Sequence, residues 1–297
     1  MLALPFCCMG CGERSRGEVR GDSSMVDSVA VQQEETVAAF YDNEARDVEK
    51  VRAVLGKIKD TDNVNERVVT AAREFLGTPY VGGTLNVPTE ETLYVNTSGV
   101  DCTTFVETVM ALAMASGGSE PKVADFLKAL RSIRYRDGRI DGYPSRLHYI
   151  SEWGIDNARR GNFREITPDY AKAERRVKTI DFMSRNRNLY PALADEAVFE
   201  AVKEHEQALA NLEFAFIPTA RVEEAAGFLK SGDIVAIVTE KPGLDVSHVG
   251  ILDLSSGVPH MIHASSKYKE VIADTTPLKD YLQKQKSPGI RVFRISD

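Results

Sequence analysis

Cys102 stands where a thiol can act as a nucleophile. It follows a loop from Val81 to Gly99 rich in Gly, Thr, Asn and Pro. After it, Phe105, Val106, Val109, Leu112 and Ala113 recur with helical spacing. The unpaired amides and dipole at a helix N-terminus favour a thiolate and can donate to a developing oxyanion. The competing reading is a buried cysteine that serves as a small hydrophobe. A nucleophile needs a base, and His248 lies inside Ser247-His248-Val249-Gly250-Ile251, an apolar strand pattern in which an imidazole must find a partner. A turn centred between Ser255 and Ser256 sets His248 directly opposite His263, with Cβ atoms about 5 Å apart. Pairing with His260 instead requires a turn centred at Leu254. Cys102, His248 and His263 then supply nucleophile, base and orienter. Zinc is the competing use of the two histidines, but hydrolytic zinc calls for a third protein ligand and no HExxH spacing occurs. Neither a metal nor any other cofactor is expected.

Holding these side chains together requires helices packed on a sheet. Val48, Val51, Leu55 and Ile58 form one helical stripe, and Val68, Val69, Ala72, Phe75 and Leu76 a second, closed by Gly77-Thr78-Pro79. Another amphipathic helix is predicted from Asp195 to Leu212. The period then changes, and Asp233–Val238, Val246–Leu254, His260–Ala264 and Ile290–Ile295 read as strands. Helices early and consecutive antiparallel strands late predict an α+β domain.

Composition narrows the function. The 297 residues are 43% hydrophobic and 27% charged, as in soluble globular chains, and the net charge of -7 gives no global positive field for a nucleic acid. No apolar run of about 18 residues encodes a spanning helix. Cys7, Cys8 and Cys11 crowd the start and Cys102 stands alone afterwards, so no disulfide framework is expected, and the Cys8/Cys11 spacing lacks further zinc ligands. Residues 1–35 are set apart as a signal, tether or disordered segment, with a single catalytic domain over 36–297. Gly10-Cys11 is similar to the end of a bacterial lipoprotein cleavage box, which makes Cys11 a candidate lipid anchor; a mis-assigned start or a disordered tail is the alternative. Residues 131–187 carry fourteen Lys and Arg against eight Asp and Glu, a local balance of +6.

Five ordered blocks carry a family resemblance. They are Leu76-Gly77-Thr78-Pro79-Tyr80-Val81-Gly82-Gly83, Val100-Asp101-Cys102-Thr103-Thr104-Phe105-Val106-Glu107, Ser231-Gly232-Asp233-Ile234-Val235, Ser247-His248-Val249-Gly250-Ile251 and Ile262-His263-Ala264-Ser265. In this order they resemble the motifs of NlpC-type papain-like cysteine peptidases and amidases of bacterial cell walls. The resemblance implies Cys102 as nucleophile, His248 as general base, His263 as third member and Tyr80 beside them, with Asp101 and Thr103 flanking the nucleophile as substrate contacts. It also implies a papain-like core in which the nucleophile helix packs on an antiparallel sheet.

Two features depart from compact members: 146 residues separate Cys102 from His248, and Thr103-Thr104 replaces a small Ser-Gly pair. The first implies a large helical and loop insertion at about 120–225. These features, with the segment from Arg146 to Tyr149 and Trp153, resemble a branch described as N-acetylmuramoyl-L-alanine amidase-like, which releases stem peptides from muropeptides, anhydro-muropeptides included. The alternatives are a γ-D-glutamyl-diaminopimelate endopeptidase and a non-catalytic cell-wall binding lipoprotein. Peptidoglycan stems offer carboxylates to Arg and sugar faces to Trp and Tyr, so Arg146, His148 and Trp153 are the candidate contacts in the insertion; solvated helix faces are the competing reading. The expected partner is a muropeptide, and the expected location the bacterial cell envelope, periplasmic or lipid-anchored.

Overall fold

Short polar side chains start the helices. Asn43 accepts from the Arg46 N–H at the head of α1 (Glu44–Ile58), after the short β1 (Phe40–Tyr41), and Asn63 caps α2 (Val64–Arg73). The computed structural model describes residues 37–88, 90–118 and 120–296. The N-terminal segment 1–35 and the Cys11 anchor therefore lie outside the described residues. β2 (Tyr94–Val95) pairs in parallel with β1 and leads into α3 (Cys102–Ala115). Nearly all of α3 is buried, from Thr104 through Ala113, because α1, α2 and α4 (Val123–Arg134) flank it while the sheet covers another side. Its one buried carboxylate, Glu107, meets the buried Arg134 at 2.7 Å, which ties α4 to the nucleophile helix.

The rest of the chain builds the sheet. α5 (Ile150–Arg159), β3 (Phe163–Glu165), β4 (Glu174–Lys178), α6 (Phe182–Arg185), α7 (Glu196–Ala208) and β5 (Leu212–Pro218) come first. β6 (Ile234–Val238), β7 (Val246–Asp253), β8 (His260–Ser265), β9 (Glu270–Asp274), α8 (Leu278–Lys284) and β10 (Gly289–Ile295) follow. Strand order is β4-β5-β10-β6-β7-β8-β9, every pairing is antiparallel, and β3 joins the far end of β10 beside β5. The α7, β6, β7, β8 and β10 segments match their sequence patterns. The insertion does not: its sequence predicts helix and loop, yet β3, β4 and β5 extend the main sheet. Charge conceals the pattern in β4, Glu174-Arg175-Arg176-Val177-Lys178, whereas β5 starts at the end of the predicted Asp195–Leu212 helix.

Alternation divides the sheet's two faces. Ala236, Val249, Ile251, Ile262 and Ala264 pack in the core that holds α2 and α3, whereas Val235, Ile237, Leu252 and Met261 pack with Leu278 and Leu282 of α8. His248 and His263 therefore point to the α8 side. The β7–β8 ladder covers only Ile251↔Ile262, Leu252↔Met261 and Asp253↔His260, which corrects the expected register by two residues. An even slip leaves each side chain on its own face. His248 lies opposite Ile237, just before an irregularity in the β6–β7 register. Among the described residues no helix is long and apolar enough to cross a membrane.

Candidate active site

Asp101 fixes the start of α3 and with it Cys102. Its carboxylate accepts from the Thr104 N–H at 2.8 Å, and the Thr104 hydroxyl accepts from the Asp101 N–H at 2.9 Å. This reciprocal box settles the helix entry and leaves the first amides unclaimed by the backbone. The N–H of Val249 and the N–H and hydroxyl of Thr103 lie near enough to the Cys102 sulfur to favour its thiolate. The sulfur thus lies against β7 one residue from His248, beside the stretch where the β7–β8 ladder has ended. Among the described residues no backbone carbonyl claims the Cys102 N–H, which remains a donor for an oxyanion. Asp101 and Thr103, expected as substrate contacts, are occupied in holding the helix entry and the sulfur.

The two imidazoles meet despite the shifted register. His248 Nε2 lies 2.7 Å from His263 Nδ1, with ring centroids 4.8 Å apart and planes at 84°. The contact is diagonal, between one residue and the neighbour two beyond its directly opposed position. Gly250 makes room for it, since a Cβ there would stand 3.0 Å from the His263 Cβ. With Nε2 engaged, His248 presents Nδ1 as its remaining nitrogen.

Burial sets the protonation states. It pushes the Cys102 thiol up to about 11, with the Asp101 carboxylate adding to the rise. It pulls His248 down to about 3, with His263 as a lesser contributor, and it lowers His263 as well against the pull of Asp274. At rest the thiol and both imidazoles are therefore neutral. The thiolate expected from the helix start alone is not the resting form, because loss of hydration outweighs the amide donors.

Two neighbours were not foreseen. Asp274 Oδ2 stands 3.5 Å from His263 Nε2, and the Tyr281 ring lies 5.6 Å from His263 and 6.4 Å from His248. The register His263↔Ile272 places Asp274 two residues further on the same face. Recognising Val271-Ile272-Ala273 as a strand supplies the signal. A cavity of about 320 Å³ opens on this side, lined among others by His248, His263, Asp274, Tyr281, Lys267 and Lys284; Cys102 is not on its wall.

The remaining predicted contacts divide. Tyr80 is half-buried and close enough to Cys102 for the thiolate charge to raise its phenol, after the larger effect of burial. Trp153 is a correction. It is 2% exposed and packs on Phe163 and Phe293, with centroids 4.2 and 5.7 Å away, so no face is open to a sugar. Tyr149 is also buried, its hydroxyl donating to Glu206 at 2.6 Å. His148 stacks on Tyr143 and bonds the Tyr143 carbonyl at 3.1 Å, and burial holds it down to about 3. Arg146 is 8% exposed and committed to Glu91, Asn86 and the Leu85 carbonyl. Most cations of the +6 stretch are paired by the fold. Arg134, Arg146, Lys172, Arg175, Arg176 and Arg187 pair with Glu107, Glu91, Glu224, Glu213, Glu240 and Glu196, all outside the stretch. Charge counted along the sequence omits acids that the fold brings back.

Comparison with known proteins adds an independent line. Residues 70–290 match the AmiA-like family model, described as N-acetylmuramoyl-L-alanine amidase-like. An N-acetylmuramoyl-L-alanine amidase from Bacteroides uniformis is similar in structure, with 37% identity, a TM-score of 0.73, and coverage of 77% of this chain and 99% of that one. A Bacteroides fragilis protein provisionally named a xylanase is similar at 39% identity and a TM-score of 0.73, covering 76% and 100%. A Legionella pneumophila protein, 22% identical with a TM-score of 0.65 over 86% and 96% of the two chains, shares the fold. No curated protein matches.

Proposed function

Because the chain belongs to the AmiA-like, N-acetylmuramoyl-L-alanine amidase-like family, we propose that it is a cysteine amidase of the papain-like NlpC type that cuts the muramoyl-L-alanine bond of muropeptides. The observation that carries this reading is the Cys102 thiol at the start of α3, near the Val249 N–H of β7, the residue after His248, whose ring meets a second imidazole at 2.7 Å. A xylanase would call for paired carboxylates across a sugar bond. Here the nearby carboxylates are Asp101, which caps α3, and Asp274, which faces His263.

Cys102 Sγ attacks the lactyl carbonyl carbon of the muramic acid while its proton passes to His248 Nδ1. The Cys102 N–H steadies the oxyanion. The C–N bond then breaks, and the L-alanine amine leaves with the proton from His248. Water, deprotonated by His248, attacks the thioester, and the proton returns to sulfur. Muropeptides with an anhydro-muramic end carry the same amide and belong to the substrate class. Such fragments arise in the bacterial envelope, where the enzyme would work.

Mass spectrometry of a digested disaccharide-tetrapeptide tests the reading. The expected products are free disaccharide and a tetrapeptide with a free L-alanine amine, unaffected by EDTA. Release of L-Ala-D-Glu from the sugar-free tetrapeptide would instead establish the γ-D-glutamyl-diaminopimelate endopeptidase. Binding without any product would establish the non-catalytic protein.

A further inference from the structure

We propose that Asp274 is a positioning residue that fixes the tautomers of the histidine pair, so that His248 turns a bare Nδ1 toward Cys102. The inference rests on His248 as the base. At 2.7 Å, His248 Nε2 and His263 Nδ1 share one hydrogen, and the groups at the outer ends decide which nitrogen carries it. Asp274 Oδ2 lies 3.5 Å from His263 Nε2, and a carboxylate only accepts. A bare Nε2 would set its lone pair against that oxygen, so Nε2 carries the hydrogen. The His263 side chain is 1% exposed and Nε2 has no closer partner among the described residues, which leaves the carboxylate to satisfy it, directly or through a water from the cavity both residues line. His263 then has a bare Nδ1, His248 donates to it from Nε2, and His248 Nδ1 is left bare. The aspartate is held in turn: its other oxygen, Oδ1, accepts from the Thr276 N–H at 2.8 Å. The charged and titratable groups facing this arrangement are Cys102 of α3, Lys267 of the β8–β9 turn, and Tyr281 and Lys284 of α8.

Asp274→Asn tests this in the full-length enzyme. The Thr276 N–H keeps the amide oxygen, so the NH2 group faces His263 Nε2 and demands a lone pair there. Every hydrogen along the pair moves by one nitrogen, and His248 Nδ1 becomes an N–H. The expected result is a fall in kcat of about 10²–10⁴ with KM and melting temperature near the parent's. Asp274→Ala, which admits an accepting water, should lose only about tenfold. A merely structural aspartate gives the opposite order, because asparagine keeps the shape. Nitrogen-15 NMR of the histidines reads the tautomers without turnover, with Nε2–H on both rings in the parent and Nδ1–H on both in Asp274→Asn. Activity of Asp274→Asn equal to or above that of Asp274→Ala, or tautomers unchanged between parent and Asp274→Asn, overturns the inference. If His248→Ala keeps turnover while the NMR pattern holds, the base assignment has failed and the tautomer assignment has not.

Discussion

The neutral resting pair makes each side chain separable by substitution. Cys102→Ala should abolish hydrolysis and leave the melting temperature within a few degrees of the parent's, since losing one atom at a helix entry opens little cavity. His248→Ala should be equally inactive. His263→Asn should keep about a tenth to a hundredth of the activity, because its amide oxygen can still accept from His248 Nε2–H. His260→Ala should be mild: its Nδ1 bonds the Val258 carbonyl at 2.9 Å and the Ser256 hydroxyl, away from the imidazole pair. Steady-state assays beside thermal melts check all four, and an inactive His260→Ala with a tolerated His263→Ala would reverse the roles. Cys102, His248 and His263 were legible because a thiol at a helix entry and imidazoles in apolar strands break their local patterns. Trp153 and Arg146 were misread because side-chain chemistry says nothing of burial or of a distant Glu91.

Strand register shows how a local error can spare the site. The hairpin loop is longer than supposed, yet the shift of two residues kept both imidazoles on the α8 face and turned an opposed pair into a diagonal one. Parity was readable from alternation; loop length was not, since Ser255, Ser256 and Gly257 all suit a turn. The diagonal contact depends on Gly250. Gly250→Ala sets a Cβ 3.0 Å from the His263 Cβ and 3.2 Å from the Ile262 carbonyl, so β8 must yield by a few tenths of an ångström. The expected outcome is a drop in kcat of roughly ten- to a hundredfold with little change in KM. Parental kcat in that variant would show that the pair tolerates the shift. β3, β4 and β9 escaped notice because edge and charged strands carry their signal in tertiary pairing rather than in sequence, and β5 because its start, Leu212, also closes the predicted helix.

Four of the five histidines are held below the ordinary imidazole value by burial, His148 and His248 down to about 3, His205 and His263 in the same direction. A lowered folded value means that the unfolded chain binds more protons between about 3 and 6.5, so their contribution is complete above pH 6.5 and lost as the pH falls toward 3. The molecule should therefore soften steadily over that window, by an amount on the order of several kcal/mol in all. Buried Glu107 and Glu152, raised by burial, oppose the trend. Calorimetry against pH, repeated on His148→Gln, isolates the histidine share: the variant should show the shallower slope, and an unchanged slope would contradict the burial of His148. The sheet order carries a consequence for how the fold comes into being. β10 is preceded by every other strand, yet it sits between β5 and β6 and also receives β3. A chain emerging from the ribosome can assemble the helices around α3, but the two halves of the sheet stay unjoined until residues 289–295 arrive. The half of the sheet that carries His248 and His263 is thus tied to β4 and β5 through residues 289–295 alone.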